Sequence, residues 1–367
     1  MGATTHRPLH VGIVGAGICG LTLAAGLRRH GHDVTLYERA PRLMPVGAGI
    51  SISPQAVRAL TSLGLAEPVL GDARSRHTTR RAALLRPDGS AVLRATAAHM
   101  PLLPMTRSAL HAALAEQAGD VVLGVDAQVS ASGAPVVTVD GVEHEFDVVV
   151  ASDGVRSAAR ERLGLDPGLR YAGWTTWRGV TAEPFDLRGQ ASETWGPGAM
   201  VGLVPLLDGH AYWFAAQHAP PGTTVPDPRG DALGRFGDWH LPIRLVIEAC
   251  DPQAVVRTDV YDLAEPLTTY VRGRVALAGD AAHPMTPNLG QGANQAIVDA
   301  ASLVRRLEST GVVPALMAYD NERRHRSQRV ARASRAMGQV ALAEGMGRQA
   351  RDRVLGAMAA VTRAVGG

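Results

Sequence analysis

The 367-residue sequence predicts an α/β fold, in which a Rossmann-like nucleotide-binding domain carries an inserted, mainly antiparallel β-sheet domain and C-terminal helices. A strand, glycine turn, helix and second strand open the chain. All five Trp residues fall in a stretch of alternating strands, and helical periodicity dominates after residue 292. We predict the nucleotide domain at residues 1–173 and 271–310, the sheet domain at 174–270 and the terminal helices at 311–367.

Composition excludes several classes of function. All 37 basic residues are Arg, which excludes lysine Schiff bases, pyridoxal phosphate and the P-loop lysine. A net charge of +3 is too small to indicate a nucleic-acid partner. Cys19 and Cys250 have no nearby partner, so we predict no metal site and a reducing compartment. With no membrane span and no apolar signal-peptide core in residues 1–8, we expect a cytoplasmic monomer or homodimer.

The nucleotide domain is predicted as a series of short elements. The opening predicts a strand at residues 10–14, a helix at 18–30 and a strand at 34–37. Helices follow at residues 54–63 and 108–118. Short β-like runs lie between and beyond these helices, at residues 80–85, 121–123, 136–139 and 146–152.

A glycine fingerprint stands between the first strand and the first helix. Gly15, Gly17 and Gly20 form G-x-G-x-x-G, which permits a tight turn, close approach of a pyrophosphate and close packing of helix on strand. Glu38 ends the second strand, where a carboxylate accepts hydrogen bonds from the hydroxyls of an adenosine ribose. Because it would repel a 2′-phosphate, the tightly bound dinucleotide is not expected to be NADP.

Two acids follow buried strands elsewhere, at Asp153-Gly154 and Gly279-Asp280. With the fingerprint, they occur in the order found in class A flavoprotein monooxygenases, which have the para-hydroxybenzoate hydroxylase fold, and the sequence resembles that family over residues 9–310. The stretches RYAGWTTWRG and YVRGRVALAGDAAH are most similar to the urate, salicylate and hydroxynicotinate hydroxylases.

The resemblance implies FAD as the cofactor and NADH or NADPH as a transient reductant. It implies that Asp280 binds the ribityl hydroxyls, and that the turn after it follows the flavin ring until a helix begins with its N–H groups directed at that ring. Asp153 and neighbours such as Arg160 would link the pyrophosphate region to reductant docking on the surface. Further cofactor contacts are expected from Arg39, the loop from Gly47 to Ser51, Arg107, Val129, Gly290, Gln291, Gly292, Ala293 and Asn294.

The inserted sheet is expected to cover the flavin and exclude water from a C4a-hydroperoxide. Strand alternation sends Tyr212 and Phe214 to one face and Trp213 to the other, and we predict Tyr212 as the catalytic, substrate-facing residue. Where urate hydroxylases have an arginine and an aspartate, this sequence has Met200 and Asn288. The loss of a cation and an acid disfavours urate and favours a larger, more apolar substrate.

Three histidines near these elements are candidate bases. His283 lies in the turn after Asp280 and has a useful pKa range, but in the family this position is usually structural. His210 and His218, on or beside the strand of Tyr212, are weaker candidates.

Arginines recur every third residue on a late helix, from Arg323 to Arg335. We predict a solvated face, with a docking surface for an acidic partner as the alternative.

The sequence therefore predicts an FAD-dependent, NAD(P)H-consuming monooxygenase that uses O2 to hydroxylate an aromatic or polycyclic small molecule. An alkene epoxidase is the alternative within the same chemistry. A non-catalytic flavin-binding protein and an NAD-dependent dehydrogenase are the alternatives from other classes.

Overall fold

The computed structural model describes residues 7–43, 48–75, 79–96 and 102–365, so the expectations for residues 1–6 and Gly47 lie outside the described residues. The strands are β1 (His10–Val14), β2 (Asp33–Glu38), β3 (Gly49–Ile52), β4 (Arg81–Leu85), β5 (Ala91–Thr96), β6 (Leu103–Thr106), β7 (Val122–Leu123), β8 (Gln128–Val129), β9 (Val136–Val139), β10 (Val142–Glu145), β11 (Val148–Ala151), β12 (Leu169–Val180), β13 (Gln190–Trp195), β14 (Ala199–Pro205), β15 (Ala211–His218), β16 (Val256–Leu263), β17 (Val271–Arg272) and β18 (Val275–Leu277). The helices are α1 (Ile18–Arg29), α2 (Pro54–Ser62), α3 (Ala66–Leu70), α4 (Arg107–Ala118), α5 (Ala158–Arg162), α6 (Pro228–Phe236), α7 (Leu241–Glu248), α8 (Gly292–Ser309), α9 (Val312–Ala341) and α10 (Gly345–Val365).

The nucleotide domain is built on a six-stranded sheet in the order β17-β18-β11-β1-β2-β7. Its pairs are parallel except for the antiparallel edge pair β17-β18. The inner strands HVGIV and VVVA are almost continuously apolar and buried, as expected for parallel strands that are covered on both faces. The strand ends at Gly15, Asp153 and Asp280 consequently lie at the same edge of one sheet, because β1, β11 and β18 are adjacent and parallel.

Helix α1 packs against β1 and β2 of this sheet, and α4 and α8 both pack against α1. Their apolar residues join those of the inner strands in one large core, which includes Leu21, Leu110 and Ile297. The predicted opening strand, helix and second strand are confirmed to within two residues at each end.

A seven-stranded sheet forms the second domain, in the order β16-β12-β15-β14-β13-β4-β5. The expectation that residues 174–270 supply this sheet alone is wrong, because its first strand begins at Leu169 and β4 and β5 come from the first segment of the chain. The β4-β13 pair is parallel, and the other pairs are antiparallel. The β4-β5 hairpin has a strand pattern of its own, but its pairing with β13 joins residues far apart in sequence.

The two faces of this sheet contact different neighbours. Trp177 and Trp213 are fully buried against α6 and α7 on the outer face. Tyr212 and Phe214 lie on the opposite face, with their ring centroids 5.7 Å apart. The Tyr212 ring covers Gly49 of β3, since a Cβ at Gly49 would collide with that ring. The predicted alternation is thus confirmed, and the Tyr212 face is the one that contacts the nucleotide domain.

The C-terminal helices complete the fold, and among the described residues no helix is long and apolar enough to cross a membrane. The prediction that the arginines of α9 form one solvated face is wrong at two positions. Arg323 is fully buried, and Arg335 pairs with Asp262 of β16 at 2.9 Å. The other three arginines of this every-third-residue series are exposed: Arg326, Arg329 and Arg332.

Candidate FAD and substrate site

The three fingerprint glycines are required for different reasons. Gly15 has φ +99°, and a Cβ there would approach the Ser152 carbonyl oxygen to 2.6 Å. A Cβ at Gly20 would collide with the Gly15 carbonyl oxygen. Gly17 has an ordinary φ of −73°, and a Cβ there would meet no atom within 4 Å. Gly15 and Gly20 therefore serve the packing of α1 on β1, whereas Gly17 leaves open space before the helix N-terminus, as a pyrophosphate requires.

Glu38 is held in place by two backbone N–H groups. Its Oε2 accepts a hydrogen bond from Ala16 N–H at 2.9 Å, and its Oε1 accepts one from Ala40 N–H at 2.9 Å. Each carboxylate oxygen has a second lone-pair site for a further donor. The adjacent Arg39 is exposed at the surface.

Asp280 is exposed although the residues on both sides of it are buried. Gly279 has φ +59°, and its N–H donates to Asp299 Oδ2 at 2.9 Å. Among the described residues, nothing donates a hydrogen bond to the Asp280 carboxylate. The turn therefore presents an unpaired acid at the end of a buried strand, which is the chemistry that ribityl hydroxyls require.

The N-terminus of α8 lies beside this acid, since Asp280 Oδ1 is 3.9 Å from the position of a Cβ on Gly292. In the part of the chain that the structure describes, no acceptor meets the backbone N–H groups of Gly292, Ala293 or Asn294. Gly290, in the left-handed region at φ +61°, ends the preceding turn, and Gln291 is the N-cap. The free N–H groups and the helix dipole therefore favour a negatively charged group at this helix start.

The side chain of Asn294 has a structural role that the sequence did not indicate. It is 1% exposed and accepts from Ser53 N–H at 2.8 Å. Its amide group donates to Ser51 O at 3.0 Å and to Gly290 O at 2.9 Å. Asn294 thus ties the end of β3 to the start of α8, and Ser51 contributes through its carbonyl group.

The residues around Asp153 form an internal turn. The Asp153 carboxylate accepts from Ser157 Oγ at 2.5 Å and from Ala159 N–H at 3.0 Å, so it fixes the start of α5, whose N-cap is Ser157. Arg160 is 1% exposed and donates to Asp166 at 2.8 Å and to Ala281 O at 3.0 Å. The expectation that Arg160 helps dock a reductant at the surface is therefore wrong, because this guanidinium group lies in the interior.

Val129 is buried on β8, and its carbonyl oxygen accepts from Arg162 Nε at 2.9 Å. This carbonyl group is therefore already engaged by the protein.

Arg107, Arg178 and Tyr212 lie together between the two domains. Burial lowers the pKa of Arg107, with a smaller effect of Arg178 in the same direction and an opposing effect of Asp280. Burial raises the pKa of Tyr212, while Arg178 and Arg107 oppose that shift. Among the described residues, no acceptor or anion pairs with Arg178. The site thus combines two cations and a buried phenol beside Asp280.

The two departures from the urate hydroxylase pattern are neighbours in space. Asn288 Nδ2 lies 4.0 Å from Met200 Sδ. The Oδ1 atom of Asn288 is buried and has no partner among the described residues. An arginine and an aspartate are therefore replaced by a thioether and an amide at one place in the pocket.

The histidines divide by environment. His283 is buried, and its Nε2 lies 2.5 Å from Asp299 Oδ2, which supports the structural interpretation. The ring nitrogens of His218 contact the carbonyl oxygens of Gly173 and Leu342. His210 lies near Asp208 and lines an open cavity of about 300 Å³ between the domains, together with Val180, the residue paired with Tyr212 on the neighbouring strand.

A buried ion-pair network lies beneath the Asp280 turn, and sequence reasoning missed it. Asp299 and Arg323 are both 0% exposed, and Arg323 Nε donates to Asp299 Oδ1 at 2.6 Å. Arg323 also donates to Gln295 Oε1 at 2.7 Å. Although burial opposes ionisation, His283 and Arg323 lower the pKa of Asp299 to about 2. A signal was present in α8, where Gln295, Asp299 and Ser302 lie on its otherwise apolar face.

Three features meet at one sheet edge: a glycine fingerprint, an anchored acid at the end of β2 and an unpaired acid after β18. Together they define a dinucleotide-binding flavoprotein with a covering sheet domain. The chain belongs to the FAD binding domain family, whose sequence pattern matches residues 8–334.

Relatives of known activity match nearly the whole chain. The aurachin C monooxygenase/isomerase of Stigmatella aurantiaca is 40% identical, over 90% of this chain and 89% of the relative. The 3-amino-4-hydroxybenzoate 2-monooxygenase of Streptomyces cremeus is 34% identical, over 91% and 88%. The crystal structure of Klebsiella pneumoniae HpxO with FAD and uric acid superposes with a TM-score of 0.84 at 29% identity, over 95% and 92%. The chain is thus an FAD-dependent monooxygenase, an oxidoreductase, rather than an NAD-dependent dehydrogenase.

Proposed function

We propose that this protein consumes NADH or NADPH and O2 to hydroxylate an aromatic or polycyclic small molecule. The observation that carries this proposal is the position of Tyr212, beside Arg107 and Arg178 on the sheet face that contacts the nucleotide domain. When bound, FAD would supply the redox chemistry that joins the oxidation of NAD(P)H to the reduction of O2.

FAD would be held along the common edge of β1, β2 and β18. Gly17 and the start of α1 would receive the pyrophosphate, and Glu38 would accept the ribose hydroxyls. Asp280 would accept the ribityl hydroxyls, and the free N–H groups of Gly292 and Ala293 would face the flavin ring. Arg107 would add positive charge beside Asp280. Asp153 would act indirectly, since it shapes the turn next to the pyrophosphate.

The sheet domain would bind the substrate and exclude water. Tyr212 and Phe214 present a continuous aromatic surface, and Met200 adds an apolar side chain beside it. We assign to the Tyr212 hydroxyl group a hydrogen bond that orients the substrate ring. Water exclusion favours oxygen transfer over the release of hydrogen peroxide. A larger, more apolar ring system fits this surface better than an oxygen-rich anion such as urate.

The test is a coupling experiment with an aromatic substrate found by its acceleration of flavin reduction. The amount of hydroxylated product formed per NAD(P)H consumed is compared between the wild type and Tyr212→Phe. We expect the variant to retain FAD and NAD(P)H oxidation but to release a larger share of hydrogen peroxide. Equal product yield in the two proteins would remove Tyr212 from the proposed role. NAD(P)H oxidation that gives only peroxide with every aromatic compound tested would contradict the proposed function.

A further inference from the structure

Glu193 is an acidic side chain on the substrate face of the large sheet. Strand registers place Arg178 opposite Phe214, Phe214 opposite Gly202 and Gly202 opposite Glu193. Directly opposed residues of neighbouring strands point to the same face of a sheet. Arg178 and Glu193 therefore stand at the two ends of one row, on the face that carries Tyr212. With strands about 4.8 Å apart, their backbones are about 14 Å from each other.

The middle of this row is flat and apolar. Gly202 has no side chain, and the tip of the Phe214 ring lies directly over it, since a Cβ there would collide with Phe214 Cζ. The Phe214 ring is tilted by 33° to that of Tyr212, so the two rings form one surface. The row thus offers an aromatic platform with a cation at one end and an acid at the other.

Only one of the two carboxyl oxygens of Glu193 accepts a hydrogen bond from the described residues. Its Oε2 accepts a hydrogen bond from the Trp195 indole N–H at 2.9 Å. Within the described residues, no group donates to Oε1 and no cation pairs with the side chain. Burial raises the pKa of Glu193, and the Trp195 hydrogen bond opposes that shift. A partly buried acid with one free oxygen is costly in a sheet domain unless a ligand completes its hydrogen bonding.

The opposite end of the row has the complementary chemistry. Arg178 has no partner among the described residues, and its neighbour in the site is the Tyr212 hydroxyl group. Met200 supplies no charge, so Arg178 and Arg107 are the cations next to Tyr212. An oxyanion or a carbonyl oxygen is the group that a guanidinium binds best.

We propose that Glu193 is a substrate-recognising residue whose free carboxyl oxygen hydrogen-bonds a hydroxyl or N–H group at one end of a flat, fused-ring substrate. The other end of that substrate carries an oxyanion or carbonyl oxygen that faces Arg178. This inference rests on the proposed function, because it requires the platform of Tyr212 and Phe214 to be the place where the substrate lies.

The test measures equilibrium binding to the FAD-loaded protein without NAD(P)H. Binding is monitored through the change in the visible flavin spectrum. The two probes are 6-hydroxy-2-naphthoate and 2-naphthoate, which differ only in the hydroxyl group meant for Glu193. We expect the wild type to bind the hydroxylated probe about 10-fold more tightly or better, because 2-naphthoate offers no donor to the free oxygen of this partly buried acid. Glu193→Ala should abolish this preference. Glu193→Gln should retain most of this preference, because its amide has the same shape and its amide oxygen can still accept the hydrogen bond.

Arg178→Met is the matched control at the other end of the row. It should weaken the binding of both naphthoates to a similar extent and leave the preference for the hydroxyl group intact. A role of Glu193 in folding alone would change flavin content or circular dichroism without a change in the ratio of the two affinities.

Three results would overturn the inference: equal affinity of the two probes in the wild type, an unchanged preference in Glu193→Ala, or no spectral change with either probe up to its solubility. The same spectra report flavin content. A protein that takes up no flavin would refute the proposed function itself, whereas a flavin-loaded protein that ignores the hydroxyl group refutes this inference alone.

Discussion

Replacement of Arg323 by Met should strongly destabilise the protein, although this residue lies outside the predicted cofactor motifs. Arg323 and Asp299 are both fully buried, and their closest N–O distance is 2.6 Å. Removal of one member of such a pair leaves a buried charge, which costs about 3–5 kcal/mol. The lowered pKa of Asp299, about 2 against the ordinary 3.8, independently corresponds to about 2 kcal/mol of stabilisation from all its partners.

The assay is urea unfolding with saturating FAD, and unfolding is monitored by circular dichroism and flavin fluorescence. Arg326→Met is the matched control, because Arg326 lies one turn away on α9, is 62% exposed and is 4.0 Å from Glu322. We expect the control to stay within about 1 kcal/mol of the wild type. A loss of less than about 1 kcal/mol in Arg323→Met, or equal losses in the two variants, would refute the reasoning.

The pH dependence of this effect has a defined sign. Because the pKa of Asp299 is lower in the folded than in the unfolded protein, its contribution is complete above its ordinary value near 3.8 and is lost as the pH falls towards about 2. Arg323→Met removes a cation that keeps Asp299 ionised, so the pKa of Asp299 rises in the folded variant and acid can neutralise the unpaired buried charge. The difference in the free energy of unfolding between Arg323→Met and Arg326→Met should therefore narrow as the pH falls. A difference that stays constant from neutral pH into the acid range would contradict this assignment.

Four further variants test the cofactor site and the residues that support it. Gly17→Ala should fold normally, since its Cβ enters open space, but should lower FAD affinity by about 10-fold or more in a flavin titration, whereas Gly20→Ala should impair folding itself. Asp280→Asn should lower FAD affinity about 10-fold and leave the melting temperature of the flavin-free protein unchanged, because no described residue donates to that carboxylate. Asn294→Ala should lower the free energy of unfolding by about 2–3 kcal/mol even without FAD, since it leaves Ser53 N–H and two carbonyl groups unpaired. Wild-type FAD affinity in Gly17→Ala or Asp280→Asn, or wild-type stability in Asn294→Ala, would contradict these roles.

The parts of the fold that the sequence predicted are those with a local signal. The opening strand, glycine turn and helix depend on residues within one short segment, and their bounds agree with the structure. The alternation of Tyr212, Trp213 and Phe214 is likewise set by the two-residue period of one strand.

The missed features depend on contacts between distant segments. The partner of β4 in the large sheet is β13, which no pattern within β4 specifies. The row from Arg178 to Glu193 depends on the registers of three strand pairs. Arg323 lies on a helix with many exposed arginines, and only its packing against Asp299 distinguishes it from them.

Oxygen transfer is the central claim, and isotopically labelled O2 tests it most directly. The FAD-loaded protein is supplied with NAD(P)H, labelled O2 and a fused-ring aromatic compound that accelerates flavin reduction, and the product is analysed by mass spectrometry. We predict that the product contains one labelled oxygen atom and that one NAD(P)H is consumed for each product molecule in the fully coupled reaction. An unlabelled product, or the recovery of all the label as hydrogen peroxide and water, would contradict the account.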